Sequence, residues 1–259
     1  MCDIVKSDSE IDTFIKNRLE KSKNEKIAIV LVGGPGSGKS EGKKDVIRKI
    51  KKTIKDFVNI DPDEILTTLF ENKNECRKEV NIINDQSYEM SISQGKNIIF
   101  DGTGKDFDWY SANVLKRLKD SGYKVSLVIV MNNVEIVLER IKKRAEETGR
   151  DVPVEYTQSV YDALSNAIPR YLSLDCTYAD SIYLYDNSKE TIHLVYSTNC
   201  VGGVREAANV KSEQSLSKNK KSTRKLMKKK STRRNKSKRR SKLNRRKKIN
   251  KKRKSNKKI

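Results

Sequence analysis

The sequence predicts an α/β protein with a P-loop-type, mainly parallel sheet flanked by helices and a disordered basic C-terminal tail. Three observations predict it. Apolar bursts of strand length alternate with amphipathic segments from residue 26 onward, which is the pattern of a layered α/β sheet. A glycine cluster separates the first burst from the first amphipathic segment after it. The charge is divided unevenly: residues 211–259 carry 26 Lys/Arg and one acid, Glu213, whereas residues 1–210 carry 31 Lys/Arg and 33 acids. The net charge of +23 therefore describes a nearly neutral body joined to a polycation. The expected organisation is a helical extension over 1–25, an α/β domain over 26–205 and a tail over 206–259.

The elements follow from local pattern. "IDTFIKNRLEKSK" in the first 25 residues has a weak helical period. "KIAIVLV" (26–32) is an unbroken β-rich run, as in a strand covered on both faces. "KSEGKKDVIRKIKKTI" spaces Val46, Ile47, Ile50 and Ile54 as one helix face. "FVNI" (57–60) is a short strand, and "NIDPDEIL" after it has the signature of a helix start, with Asp61 as cap, Pro62 at the first position and Glu64 completing a box. "EVNIINDQSYEMSISQG" reads as a helix closed by Gly95, "NIIF" (97–100) as a strand and "WYSANVLKRLKDSG" as a helix ending at Gly122. "KVSLVIVM" (124–131) is the fourth strand and "VEIVLERIKKRAEE" a helix; "TGRDVPVE" is a loop. "YTQSVYDALSNAIPRYLSL" is helical, with Pro169 kinking or ending it. "SIYLYDN" and "TIHLVYS" are late strands that suit a hairpin; the second holds the sole histidine, His193, read as structural.

Composition narrows the class. No apolar run is long enough for a membrane span, and the N-terminal residues do not read as a secretory signal. Cys2, Cys76, Cys176 and Cys200 lie far apart in sequence and form no CxxC pair. The expectation is a reduced, intracellular protein, cytoplasmic or nuclear, without a zinc site.

Gly33, Gly34, Pro35, Gly36, Ser37, Gly38, Lys39 and Ser40 match GxxxxGK[ST] in the required context, after a strand and before a helix. Backbone N–H groups converge on a phosphate chain only where no Cβ obstructs them, and the helix that follows aims its positive end at the same anion. Lys39 is expected on the β- and γ-phosphates of ATP or GTP and Ser40 on Mg²⁺.

Carboxylates are expected to matter where the strands finish. Asp63, near the mouth of the sheet, is the candidate base for an acceptor hydroxyl, against the alternative of a first-turn acid favoured by the helix dipole. Asp61 is a cap that also stands among the acceptor-binding candidates. Asp101 ends the third strand; it reads as a magnesium-side or substrate-side acid, or as a turn residue, with Gly102 and Gly104 leaving room and Thr103 offering a hydroxyl. Lys105 follows. Arg140 and Arg144 share a helix face near Lys143 and Arg150, as a phosphate-closing lid or as a solvated face paired with Glu139, Glu146 and Glu147.

In order and spacing, "GGPGSGKS", "IDPDE", "FDGTG", "LERIKKR" and "GRDVP" resemble the zeta toxin family of P-loop kinases, over roughly residues 20–190. The resemblance implies an ATP- and Mg²⁺-dependent kinase acting on a hydroxyl of a small molecule, UDP-N-acetylglucosamine in the bacterial toxin systems. It implies that Lys39, Asp63, Arg140 and Arg150 are catalytic and that Asp101 binds the acceptor. The sequence departs from the common pattern at Gly34, where Gln is usual, at Asp101, where Glu is usual, and at Lys105, where Arg often stands.

The tail has no aromatic residue and few aliphatic ones, so it cannot offset chain entropy by burial and is expected to be disordered alone. Residues 211–259 suit sequence-independent binding of nucleic acid or another polyanion, or a nuclear import signal. A polynucleotide 5′-hydroxyl kinase and a non-enzymatic nucleic-acid-binding protein remain the alternatives to a small-molecule kinase.

Overall fold

The computed structural model describes residues 2–148 and 152–207; within it, residues 1–210 make one compact unit. The tail expected over 206–259 falls, from residue 208 on, outside the described residues, as does Arg150.

The unit is a seven-stranded sheet in the order β2-β3-β1-β4-β5-β6-β7. The strands are β1 (Ile27–Val32), β2 (Val58–Ile60), β3 (Ile98–Asp101), β4 (Lys124–Met131), β5 (Ser181–Asp186), β6 (His193–Val201) and β7 (Val204–Ala207). The first five are parallel to their neighbours, and β6 and β7 return antiparallel. The helices are α1 (Asp8–Lys21), α2 (Lys39–Lys49), α3 (Pro62–Phe70), α4 (Arg77–Ser93), α5 (Phe107–Tyr110), α6 (Arg117–Asp120), α7 (Val134–Thr148) and α8 (Val154–Leu172); a π-helical stretch, Ser111–Lys116, joins α5 to α6.

The unbroken apolar run of β1 now has its reason. Side chains alternate across a strand, so Ala28, Val30 and Val32 enter the core on one face, and Ile29 and Leu31 enter the core on the other. β4 is divided the same way, with Val125, Leu127 and Ile129 on the first face and Val128 and Val130 on the second. The first core also takes Ile15 and Leu19 from α1, Ile65 and Phe70 from α3, and Val80 and Ile83 from α4. The second is smaller and is closed by Val46 and Ile47 of α2. Strand polarity brings the carboxyl ends of β1–β5 to one edge, and that edge carries every sequence-predicted site residue that the structure describes.

Several local expectations are corrected. The second helix ends at Lys49, not near Ile54, because Lys51 takes a left-handed φ of 57° and Ile54 is left half exposed. Asp61 caps α3 by accepting from the Asp63 N–H at 2.9 Å, but Glu64 closes no box; it pairs with Arg18 at 3.1 Å and accepts from Asn59 at 2.7 Å. Pro169 does not end α8, since the helix runs on to Leu172. β7 was not anticipated from the pattern "VREA".

The thiols are the largest correction. Cys2 is bonded to Cys76 and Cys176 to Cys200, so all four cysteines are paired and the premise for a reduced compartment falls. Spacing in sequence gave no sign of this, because each pair is formed by tertiary folding: the N-terminal segment lies against the start of α4, and β6 against the loop after α8. Among the described residues no helix is long and apolar enough to cross a membrane. Two outcomes are expected. Denatured, unreduced protein should show no reactive thiol and four after reduction. Replacing Cys176 and Cys200 by Ser together should lower the urea-unfolding free energy by about 3 kcal/mol, the order expected for a loop of this length.

Candidate phosphate-binding active site

The glycine loop is built where β1 stops. The Gly33 N–H donates to the Thr103 carbonyl at 3.0 Å, which joins the loop to the segment after β3. The Ser37 N–H closes a turn onto the Gly34 carbonyl at 3.2 Å, and Gly38, at φ 91°, leads into α2. Helices from elsewhere close on this turn. Tyr161 of α8 donates to the Pro35 carbonyl at 3.2 Å, and its ring lies so close that a Cβ on Gly34 would come within 2.4 Å of it. Val137 and Ile141 of α7 pack against Gly36. Asn187, after β5, donates to the Ser37 carbonyl at 2.8 Å.

Lys39 opens α2, with its ammonium 2.8 Å from the Gly33 carbonyl and 3.5 Å from Asp101. Lys43, one turn further on, lies 3.9 Å from the other Asp101 oxygen. Asp101 is thus held between two cations, and all three side chains are largely buried. Ser40 is exposed in the first turn of α2.

The acids of α3 stand beside this cluster because β2 is the neighbour of β3. Asp61 is pushed up to about 6, first by burial and then by the charges of Asp101 and Asp63, against the lowering effect of the Asp63 N–H it accepts. Asp63 is more open and accepts from Arg77 of α4 at 2.8 Å. Arg18 of α1 donates to the Asn59 carbonyl and reaches Glu64, so the N-terminal helix braces the end of β2.

Thr103 and Lys105 line the segment after β3. The Lys105 N–H donates to Thr103 Oγ1 at 3.4 Å, and its ammonium sits 4.9 Å from the centre of the Tyr156 ring. Two buried phenols brace the strand ends here: Tyr110 donates to the Leu31 carbonyl at 2.7 Å and Tyr171 to the Gly104 carbonyl at 2.8 Å. Burial, the main cause, pushes both phenols upward, so they remain donors throughout the ordinary pH range.

On the far side of the loop, Arg140 of α7 donates to the Asn187 carbonyl at 3.4 Å. Lys143 turns to Glu147 on the surface, at 3.9 Å. The sheet order therefore sets Asp61, Asp63 and Asp101 on one side of the glycine loop and Arg140 on the other. Sequence reasoning missed Lys43, Arg77, Tyr161 and Asn187. Lys43 had a signal, being four residues after Lys39 on the same helix face. The other three reach the site only through tertiary packing. Among the described residues no group of three or more ligating side chains could hold a metal alone. Mg²⁺ commonly takes one or two protein ligands together with phosphates and water, so the site suits an ion that arrives with a nucleotide.

The profile described as zeta toxin matches residues 12–199. Among solved structures, the PezAT chromosomal toxin–antitoxin system of Streptococcus pneumoniae is similar at a TM-score of 0.56 and 19% identity, covering 74% of this chain and 81% of that one. The native AvrRxo1-ORF1:-ORF2 complex is similar at a TM-score of 0.58 and 16% identity, covering 78% and 70%. The same complex with ATP matches at a TM-score of 0.55 and 16% identity, covering 78% and 69%. No curated protein sequence matches the chain. The profile spans most of the chain, so the chain belongs to the zeta toxin family and is a P-loop phosphotransferase.

Proposed function

We propose that the protein transfers the γ-phosphate of ATP to a hydroxyl of a small molecule, and that the acceptor is of the nucleotide-sugar kind, such as UDP-N-acetylglucosamine. The observation that carries the reading is the order along the sheet edge: carboxylates, then the glycine loop, then an arginine. A phosphate chain seated in the loop would have a proton acceptor on one flank and a cation on the other, which an in-line transfer requires. ATP is supported by the AvrRxo1 complex that holds it, and the sugar nucleotide by the family resemblance.

Asp63 is assigned as the base. It is the more open of the two α3 acids, whereas Asp61 is committed to its helix cap. Arg77 holds the Asp63 carboxylate through one oxygen at 2.8 Å, which fixes its position beside the cradle. Lys39 would leave the Gly33 carbonyl for the β- and γ-phosphates, and Asp101 would keep Lys43 as its counter-ion while it orients the acceptor. Thr103 and Lys105 extend that acceptor side. Ser40 would hold the Mg²⁺ that enters with ATP, and the ion supplies charge neutralisation on the phosphates. Arg140, and Arg150 by resemblance, would neutralise charge on the group in transfer.

A second reading, a polynucleotide 5′-hydroxyl kinase, is favoured by the tail's 26 cations. The test is transfer from labelled ATP by the full chain to nucleotide sugars, nucleosides and 5′-hydroxyl oligonucleotides. A labelled sugar nucleotide supports the first reading and a labelled oligonucleotide end the second; no transfer to any acceptor sinks both. Asp63→Asn should abolish transfer, by a factor of about 10² or more, while ATP still binds. Removal of residues 211–259 should abolish binding to random-sequence DNA in a gel-shift assay, and binding by the full chain should weaken steeply as salt rises.

Asp61 makes a pH prediction. Its native pKa is above the unfolded one, so between about pH 4 and 6 the native state holds the extra proton and stability falls as pH rises. Asp61→Asn keeps a capping oxygen and removes the charge. Relative to wild type it should gain little at pH 4 and on the order of 2 kcal/mol above pH 6.5, read from urea midpoints.

A further inference from the structure

Asn187 lies behind the phosphate loop, only 8% exposed. Its backbone is fixed in place. The Asn187 N–H donates to the Met131 carbonyl at 3.0 Å, one step beyond the β4–β5 pairing, and Asp186 turns the chain by accepting from the Ser188 N–H at 2.9 Å. From this fixed point the side-chain amide donates to the Ser37 carbonyl at 2.8 Å, and the backbone carbonyl accepts from Arg140 at 3.4 Å. One residue thus grips both the glycine loop and the arginine of α7.

The grip has a directional consequence. The Ser37 carbonyl and the Gly38 N–H belong to one peptide unit, and the described chain has no cis peptide. In a trans unit the two groups point in opposite directions. Drawing the carbonyl out toward Asn187 therefore turns the Gly38 N–H inward, to the concave side where phosphates are expected. Glycine at 38 is what lets the amide approach: a Cβ there would lie 2.1 Å from the Asn187 nitrogen.

We propose that Asn187 is a positioning residue for phosphoryl transfer, aiming the Gly38 N–H at the phosphate chain through its side chain and holding Arg140 beside it through its carbonyl. This rests on the assignment of the glycine loop to ATP. Without the Asn187 amide, the Ser37–Gly38 unit is free to rotate and one inward donor is lost.

The test is calorimetric binding of ATP and of adenosine to the full-length protein and to Asn187→Ala. Loss of one charge-assisted donor corresponds to about a tenfold drop in ATP affinity. Adenosine affinity should be unchanged, which a general loss of folding would not permit. Equal loss for both ligands, or no loss for either, overturns the proposal. If the alanine variant does not fold, the wild type still decides the matter by NMR. In the ATP complex the Gly38 amide proton should be shifted and protected from exchange, and the Asn187 side-chain protons should stay protected; a freely exchanging Gly38 amide overturns the proposal. Wild type that binds neither ligand overturns this assignment and the kinase reading together, whereas normal ATP binding by Asn187→Ala overturns this assignment alone.

Discussion

Backbone amides can converge on an anion only if the carbonyls between them turn outward and find other partners, because a buried carbonyl left unpaired is costly. The glycine loop meets that condition at four of its carbonyls. The Gly33 carbonyl accepts from Lys39, the Gly34 carbonyl from the Ser37 N–H, the Pro35 carbonyl from Tyr161 and the Ser37 carbonyl from Asn187. Two of these donors come from α8 and from the end of β5, more than 120 positions along the chain. The loop is therefore a local motif only in sequence. In three dimensions its shape is held by the far half of the domain, and the sheet must be complete before the cradle is.

The electrostatics follow the same division. Three acids share one flank of the cradle, and at Asp61 burial first, then the charges of Asp101 and Asp63, favour the protonated carboxyl. Lys39, Lys43 and Arg77 meet the charges of the other two. Lys39 serves two masters in this arrangement, the Gly33 carbonyl and Asp101, and both are partners that a phosphate chain would outcompete by charge. The same lysine would then link occupancy of the loop to the freedom of the acid beside it.

How much of this could be read in the sequence depends on the range of the forces involved. The strands β1 and β4 were legible because burial on both faces leaves an apolar run that needs no further context. The loop was legible because glycines, a lysine and a serine at fixed spacing answer a local demand, and Asp61 as a cap answers another. The end of α2 was not: Ile50 and Ile54 keep the helical period, yet the chain turns at Lys51 in a left-handed φ and Ile54 is left half exposed. Nor was the pairing of Asp63 with Arg77, or of Asn187 with Ser37, since no spacing rule relates residues that meet only when helices dock. The cysteines failed for the same reason, with partners at sequence separations of 74 and 24.

The bond between Cys176 and Cys200 encloses β5, the hairpin turn and most of β6. That turn exposes Lys189, Glu190 and Thr191, the kind of loop tip that proteases find first. A cut there would sever the peptide chain without parting the molecule: β6 and β7 would stay covalently fastened through sulfur to the half that bears the glycine cradle. Nicked protein would migrate as one species until a reductant was added, and as two fragments afterwards.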